Sequence, residues 1–125
     1  MKVGEVMNRV IVIDAGMEVR GASKVMSEKG IGCLVVMKKD KLVGIITERD
    51  IIKNIGKIGG KVSSIMSKGV VTIDQTESLD DAAMLMSEKK IKKLPVIHKG
   101  KLVGIITATD IIANSDSLNE NFLFE

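Results

Sequence analysis

The chain repeats itself, and that repeat constrains its fold more than any other feature. From Val10 to Asn54 the sequence realigns on Val70 to Asn114 at a constant offset of 60, with about half the positions identical. The densest match sets KLVGIITERDII (Lys41–Ile52) against KLVGIITATDII (Lys101–Ile112), and MSEKGIGCLVV (Met26–Val36) matches MSEKKIKKLPV (Met86–Val96). The lead-ins VGEVM (Val3–Met7) and VSSIM (Val62–Met66) correspond one residue out of register. A duplication on this scale means one supersecondary unit used twice. It divides the chain into repeats at 1–55 and 62–115, a glycine-containing linker at Ile55–Lys61 and a tail at 116–125.

Within each copy the hydrophobic period changes in order. Val70–Ile73 is a short β-branched run that predicts a strand. Ser78 and Asp81 have the spacing of a capping box, and Leu79, Ala82, Ala83 and Met86 then follow as one helical face. Leu94–Ile97 reads as a buried strand, His98–Lys101 as a turn through Gly100, and Leu102–Ile106 as the returning strand. Thr107 opens a last helix whose apolar face includes Ile111 and Ile112. Copy one repeats the order, with Glu18 where Ser78 would cap and Gly21 inside the first helix; both are local weaknesses. The expected fold is therefore α/β (α+β), two βαββα units. A three-stranded sheet with helices on one face leaves its other face to be covered, so the units are expected to pack through their sheets with pseudo-twofold symmetry.

Composition narrows the partners. The chain is 45% hydrophobic but only 2% aromatic, so aliphatic side chains must build the core. Its mean hydropathy of +0.21 is high, yet uncharged stretches such as Gly30–Met37 fall well short of a membrane span. The N-terminus lacks the apolar run of a signal peptide. With one cysteine as well, the expected location is cytoplasmic. The net charge of +3 suits a phosphate-bearing ligand without pointing to nucleic acid.

Two Thr-x-x-Asp pairs, Thr47/Asp50 and Thr107/Asp110, are the main candidates for chemistry. Each has the pattern of a capping box that satisfies orphan amides. The same helix start can also favour a phosphate, and its Asp can accept hydrogen bonds from ribose hydroxyls. Catalysis has no support: there is no nucleophile–base pair, no Walker-type loop and, with one His and one Cys, no intrachain Cys/His zinc set. The chain is thus expected not to be an enzyme, to hold no metal and to need no cofactor. His98 reads as turn surface, Cys33 as a small packing residue, and Met26, Met84 and Met86 as core or interface.

These motifs resemble a known family. Each copy is similar to a cystathionine-beta-synthase (CBS) domain, and residues 1–115 resemble a tandem CBS pair. The resemblance rests on the lead-in ending in Val-Met or Ile-Met, the LPV strand at Leu94–Val96 and the G-h-h-T-x-x-D run in both copies. It implies a regulatory module that binds AMP, ADP, ATP or S-adenosylmethionine in clefts between the repeats. It also implies a homodimer and a separate effector partner. By that resemblance Asp50 and Asp110 bind ribose, while Thr47 and Thr107 contact ribose or phosphate.

The family pattern implies two unequal sites. The stronger would combine Thr107, Thr109, Asp110, Lys92 and Lys93 with Val12, Ile13, Gly32, Cys33 and Leu34. The lysines would meet phosphates, and the small Gly32 and Cys33 would leave room for a flat base. The weaker would join Thr47, Arg49 and Asp50 to Thr72, Ile73, Leu94 and Pro95, without lysines at 32 and 33. Two other classes stay open. A nucleic-acid-binding protein would use the lysines at 89, 90, 92, 93, 99 and 101, although the fold supplies no aromatic stacking residues. A structural dimer would leave the clefts vestigial. The tail holds Phe122 and Phe124, either as a frayed end or as a hook on a partner.

Overall fold

The computed structural model describes residues 1–114. They form two compact α+β units. One unit comprises Ile11–Val70, and the other joins Met1–Val10 to the chain from Val71 onward. The units therefore do not follow the repeat boundaries. Each lead-in packs with the copy other than the one it directly leads into, so the segment before repeat one completes the unit built on repeat two.

In the Ile11–Val70 unit, strand β1 (Val12–Asp14) leads into helix α2 (Val19–Lys29), then β2 (Cys33–Lys38), β3 (Lys41–Thr47) and helix α3 (Glu48–Lys53). The sheet order is β1-β2-β3, with β1 parallel and β3 antiparallel to β2. A parallel pair needs a long crossover, which α2 supplies. An antiparallel pair needs only a tight turn, and Lys39 and Asp40 make it with φ of 48° and 63°. Helix α2 stops at Gly30, whose φ of 64° is the left-handed cap glycine favours. The core gathers Val19, Ala22 and Met26 from α2 against Leu34, Val36 and Ile46 of the sheet, with Val62 from the second lead-in.

The other unit repeats the plan. Helix α1 (Val3–Val6) is its lead-in, followed by β4 (Ile73–Asp74), α4 (Leu79–Lys89), β5 (Lys93–His98), β6 (Lys101–Thr107) and α5 (Ala108–Ala113). The sheet order is β4-β5-β6. Val3 enters the core beside Leu79, Ala82, Met86, Leu94 and Ile106. The lead-in is fixed by a two-bond bridge to β6: Asn8 N donates to Ile105 O at 2.8 Å, and Ile105 N to Asn8 O at 3.0 Å. Gly104 makes this approach possible. A Cβ placed there would lie 2.7 Å from Met7 Sδ and 2.9 Å from Asn8 O. Gly44 plays the same part against Met66 and Ser67 O.

Several local expectations change. The strand expected at Val70–Ile73 is only Ile73–Asp74, because only those residues pair with β5, opposite Val96 and Ile97. Ile112 is 56% exposed while Ile111 is buried. Neighbouring helix residues lie about 100° apart, so both cannot face the same core. Ala83 and Met84 are exposed on α4 for the same reason. His98 is not turn surface: it ends β5 half-buried, with Nδ1 3.7 Å from Asp74 Oδ1. Phe122, Phe124 and the rest of the tail lie outside the described residues. Among the described residues no helix is long and apolar enough to cross a membrane.

Candidate functional site

Both Thr-x-x-Asp pairs stand where the third strand of a sheet turns into a six-residue helix. Both are complete capping boxes. Thr47 N donates to Asp50 Oδ2 at 2.9 Å and Asp50 N returns a bond to Thr47 Oγ1 at 3.2 Å; Thr107 and Asp110 repeat these distances. Asn54 and Asn114 then close the helices by donating to the carbonyls of Asp50 and Asp110, each at 2.8 Å.

The two carboxylates differ in what else holds them. Asp110 Oδ2 also accepts from Thr107 Oγ1 at 2.8 Å and from Asn8 Nδ2 at 2.6 Å. Three donors on one oxygen fix the plane of the carboxylate. Its other oxygen has no hydrogen-bond partner among the described residues. Asn8 reaches Asp110 across 102 residues of sequence. In the other unit the bridge position facing Ile45 is Ser67, which makes no side-chain bond to Asp50 among the described residues. Sequence reasoning missed Asn8. The one-residue offset between the lead-ins, with Asn8 matched to Ser67, was the available signal.

The surroundings also differ in charge. Lys93 opens β5 directly opposite Thr107, and the Lys92 carbonyl accepts from Ala108 N at 2.8 Å. Lys92, Lys93, Thr107 and Asp110 thus occupy one edge of their unit, with Thr109 exposed on the adjoining turn of α5. In the other unit the equivalent edge holds Gly32 and Cys33 opposite Thr47, and Glu48 stands where Ala108 stands. A Cβ on Gly32 would lie 3.1 Å from Glu48 Oε1. This edge therefore carries an acid close to the backbone where the other carries lysines. Glu48 is a second residue that sequence reasoning missed. It also borders a groove of about 410 Å³ with Ser23, Ser27 and Ile52. Arg49 is exposed beside Asp50 on α3.

The residues expected to line a base divide by accessibility. Val12 is 49% exposed, whereas Ile13, Leu34, Ile73 and Leu94 are buried in the cores of their own units and Pro95 is fully buried. Thr72 is half-buried on a groove with Asp74, Glu77 and Asp81. There Thr76, bonding through its hydroxyl and its N–H, holds Asp74 below the usual carboxylate range, with His98 adding to the effect. Hydrogen bonding to Asp81 pushes Glu77 up. The lysines proposed for nucleic acid do not form one patch: Lys92 and Lys93 lie at one end of the β5–β6 ladder, and Lys99 and Lys101 at the other. Among the described residues no group of His, Cys, Asp and Glu could hold a metal ion.

An uncharacterised protein of Methanocaldococcus jannaschii is 38% identical over 98% of this chain, which spans 42% of that relative's length. The solved CBS domain pair of protein MJ0100, in complex with 5-methylthioadenosine and S-adenosyl-L-methionine, superimposes with a TM-score of 0.83 at 29% identity. That match covers 90% of this chain and 94% of that one. The structure of CBSX2 in complex with AMP gives a TM-score of 0.78 at 29% identity, covering 90% and 93%. The CBS domain family model matches twice, at residues 3–57 and 62–116. The chain therefore belongs to the CBS domain family and carries its domain in tandem.

Proposed function

We propose that this CBS pair is a regulatory module that binds an adenine nucleotide or S-adenosylmethionine, with the ribose held by Asp110. The observation that carries this reading is the state of that carboxylate. One oxygen is tied by Thr107 and Asn8, and the other is open to accept from a vicinal diol. Lys92 and Lys93 on the same edge supply positive charge for phosphates. At the equivalent edge Asp50 lacks the Asn8 tie, and Glu48 opposes an anion, so the Asp50 site is the weaker. The structures of MJ0100 with S-adenosyl-L-methionine and of CBSX2 with AMP support the ligand class. Output follows if the ligand favours one of two states of the module. The module works as a cytoplasmic homodimer whose state is read by a separate effector protein.

Thermal shifts with AMP, ADP, ATP, S-adenosylmethionine and GMP test this. Ligand at a hundred times its Kd adds about 2.7 kcal/mol of apparent stability. The shift should appear with an adenine ligand, vanish in Asp110→Ala and persist in Asp50→Ala. Equal losses in both variants would refute the inequality. No shift with any of these ligands would refute the reading.

A further inference from the structure

The geometry points to a second, separate anion site in the Ile11–Val70 unit, at the opposite end of its sheet from Thr47 and Asp50, fitted to a small di- or triphosphate-class anion. Lys38, opposite Lys41, stands five positions along β2 from Cys33, opposite Thr47. At about 3.3 Å per residue that is roughly 17 Å. At this far end lies a groove of about 590 Å³ lined by Lys38, Lys61 and Lys68 from three separate segments, with Ser63 beside them. Val43 and Met66 supply its apolar wall.

Charge makes this groove unlike an ordinary solvated edge. None of the three lysines has a carboxylate partner among the described residues. Asp14 is the groove's only acid, and its Oδ2 is already taken by Gly16 N at 2.7 Å. Three lysines lining one groove bring like charges together, and a multiply charged anion relieves that repulsion while accepting hydrogen bonds from their ammonium groups. A cavity this size admits more than a single phosphate. The duplicated unit provides an internal contrast. The positions matching Lys38, Lys61, Lys68 and Ser63 are His98, Lys2, Arg9 and Gly4, and there His98 lies against Asp74. One copy thus keeps three unpaired cations where the other has set a histidine beside an acid.

Inorganic pyrophosphate is the probe, titrated calorimetrically into the full chain at low ionic strength, where exposed charges are least screened. The Lys38→Gln/Lys68→Gln double variant should bind it at least fivefold more weakly. Lys99→Gln/Lys101→Gln removes the same charge elsewhere and should keep the wild-type affinity within that factor. All four lysines are exposed, so circular dichroism should show these variants folded. No pyrophosphate binding by the wild type overturns the proposal. So does a less than fivefold loss in the Lys38/Lys68 variant, or an equal loss in the Lys99/Lys101 control. Tighter binding of a duplex oligonucleotide that depends on the same two lysines also overturns it, in favour of nucleic acid.

Discussion

Replacing Gly104 by alanine should be the most damaging single-methyl change in the chain's second repeat. The added Cβ would lie 2.7 Å from Met7 Sδ and 2.9 Å from Asn8 O. Met7 can swing its thioether away. The Asn8 carbonyl cannot, because it belongs to the two-bond bridge with Ile105. The α1 lead-in must then back off from β6. Forcing an extra methyl into a packed site costs about 1–3 kcal/mol, and each backbone bond that is lost adds about 1 kcal/mol. The expected loss is about 2–4 kcal/mol. For a chain of this length 1 kcal/mol corresponds to about 4 °C, so Tm should fall by about 8–16 °C in a thermal melt followed by circular dichroism. Retreat of the lead-in also draws Asn8 from Asp110, so an adenine ligand should stabilise the variant less than the wild type. Gly56→Ala is the control, since a Cβ there meets nothing within 4 Å; it should stay within about 0.5 kcal/mol of the wild type. A Gly104→Ala protein as stable as that control would show that the lead-in does not need this close approach.

Two further changes probe the helix starts. Asp81 is held below its ordinary value of 3.8, first by the Ser78 side chain and then by Glu77. Ser78→Ala should therefore raise the Asp81 titration seen by carboxyl NMR. A lowered carboxylate stabilises the fold above its ordinary value and loses that contribution as pH falls through its folded-state value. The stability gap between wild type and variant should accordingly close in acid below about pH 4; a gap unchanged across that range would exclude the carboxylate's part. Glu18 begins α2 without any side-chain cap, so Glu18→Ser should stabilise by about 0.5–1 kcal/mol in urea unfolding. An unchanged midpoint would mean that another group already serves the α2 amides.

The amino-acid sequence alone determined the local plan. Period and turn chemistry are short-range properties, so the βαββα order, the Ser78 and Thr107 caps, the Gly100 turn and the duplication were all legible in it. The positions of Asp50 and Asp110 were legible too, because a Thr-x-x-Asp at a strand-to-helix junction is itself a local pattern. What only the tertiary structure decided depends on residues far apart in the chain. No period announces that Met1–Val10 completes the unit built on repeat two. The Asn8 bond to Asp110 spans 102 residues, and the crowding of Gly104 by Met7 comes from the same docking. The three lysines of the far groove lie up to 30 residues apart in sequence, and only the folding of the second lead-in onto β3 brings them together. Helix and strand periods record which face of an element is apolar. They carry no record of which other segment will cover it, and that pairing sets Asn8 against one unit's Asp110 and gathers three lysines along one groove of the other.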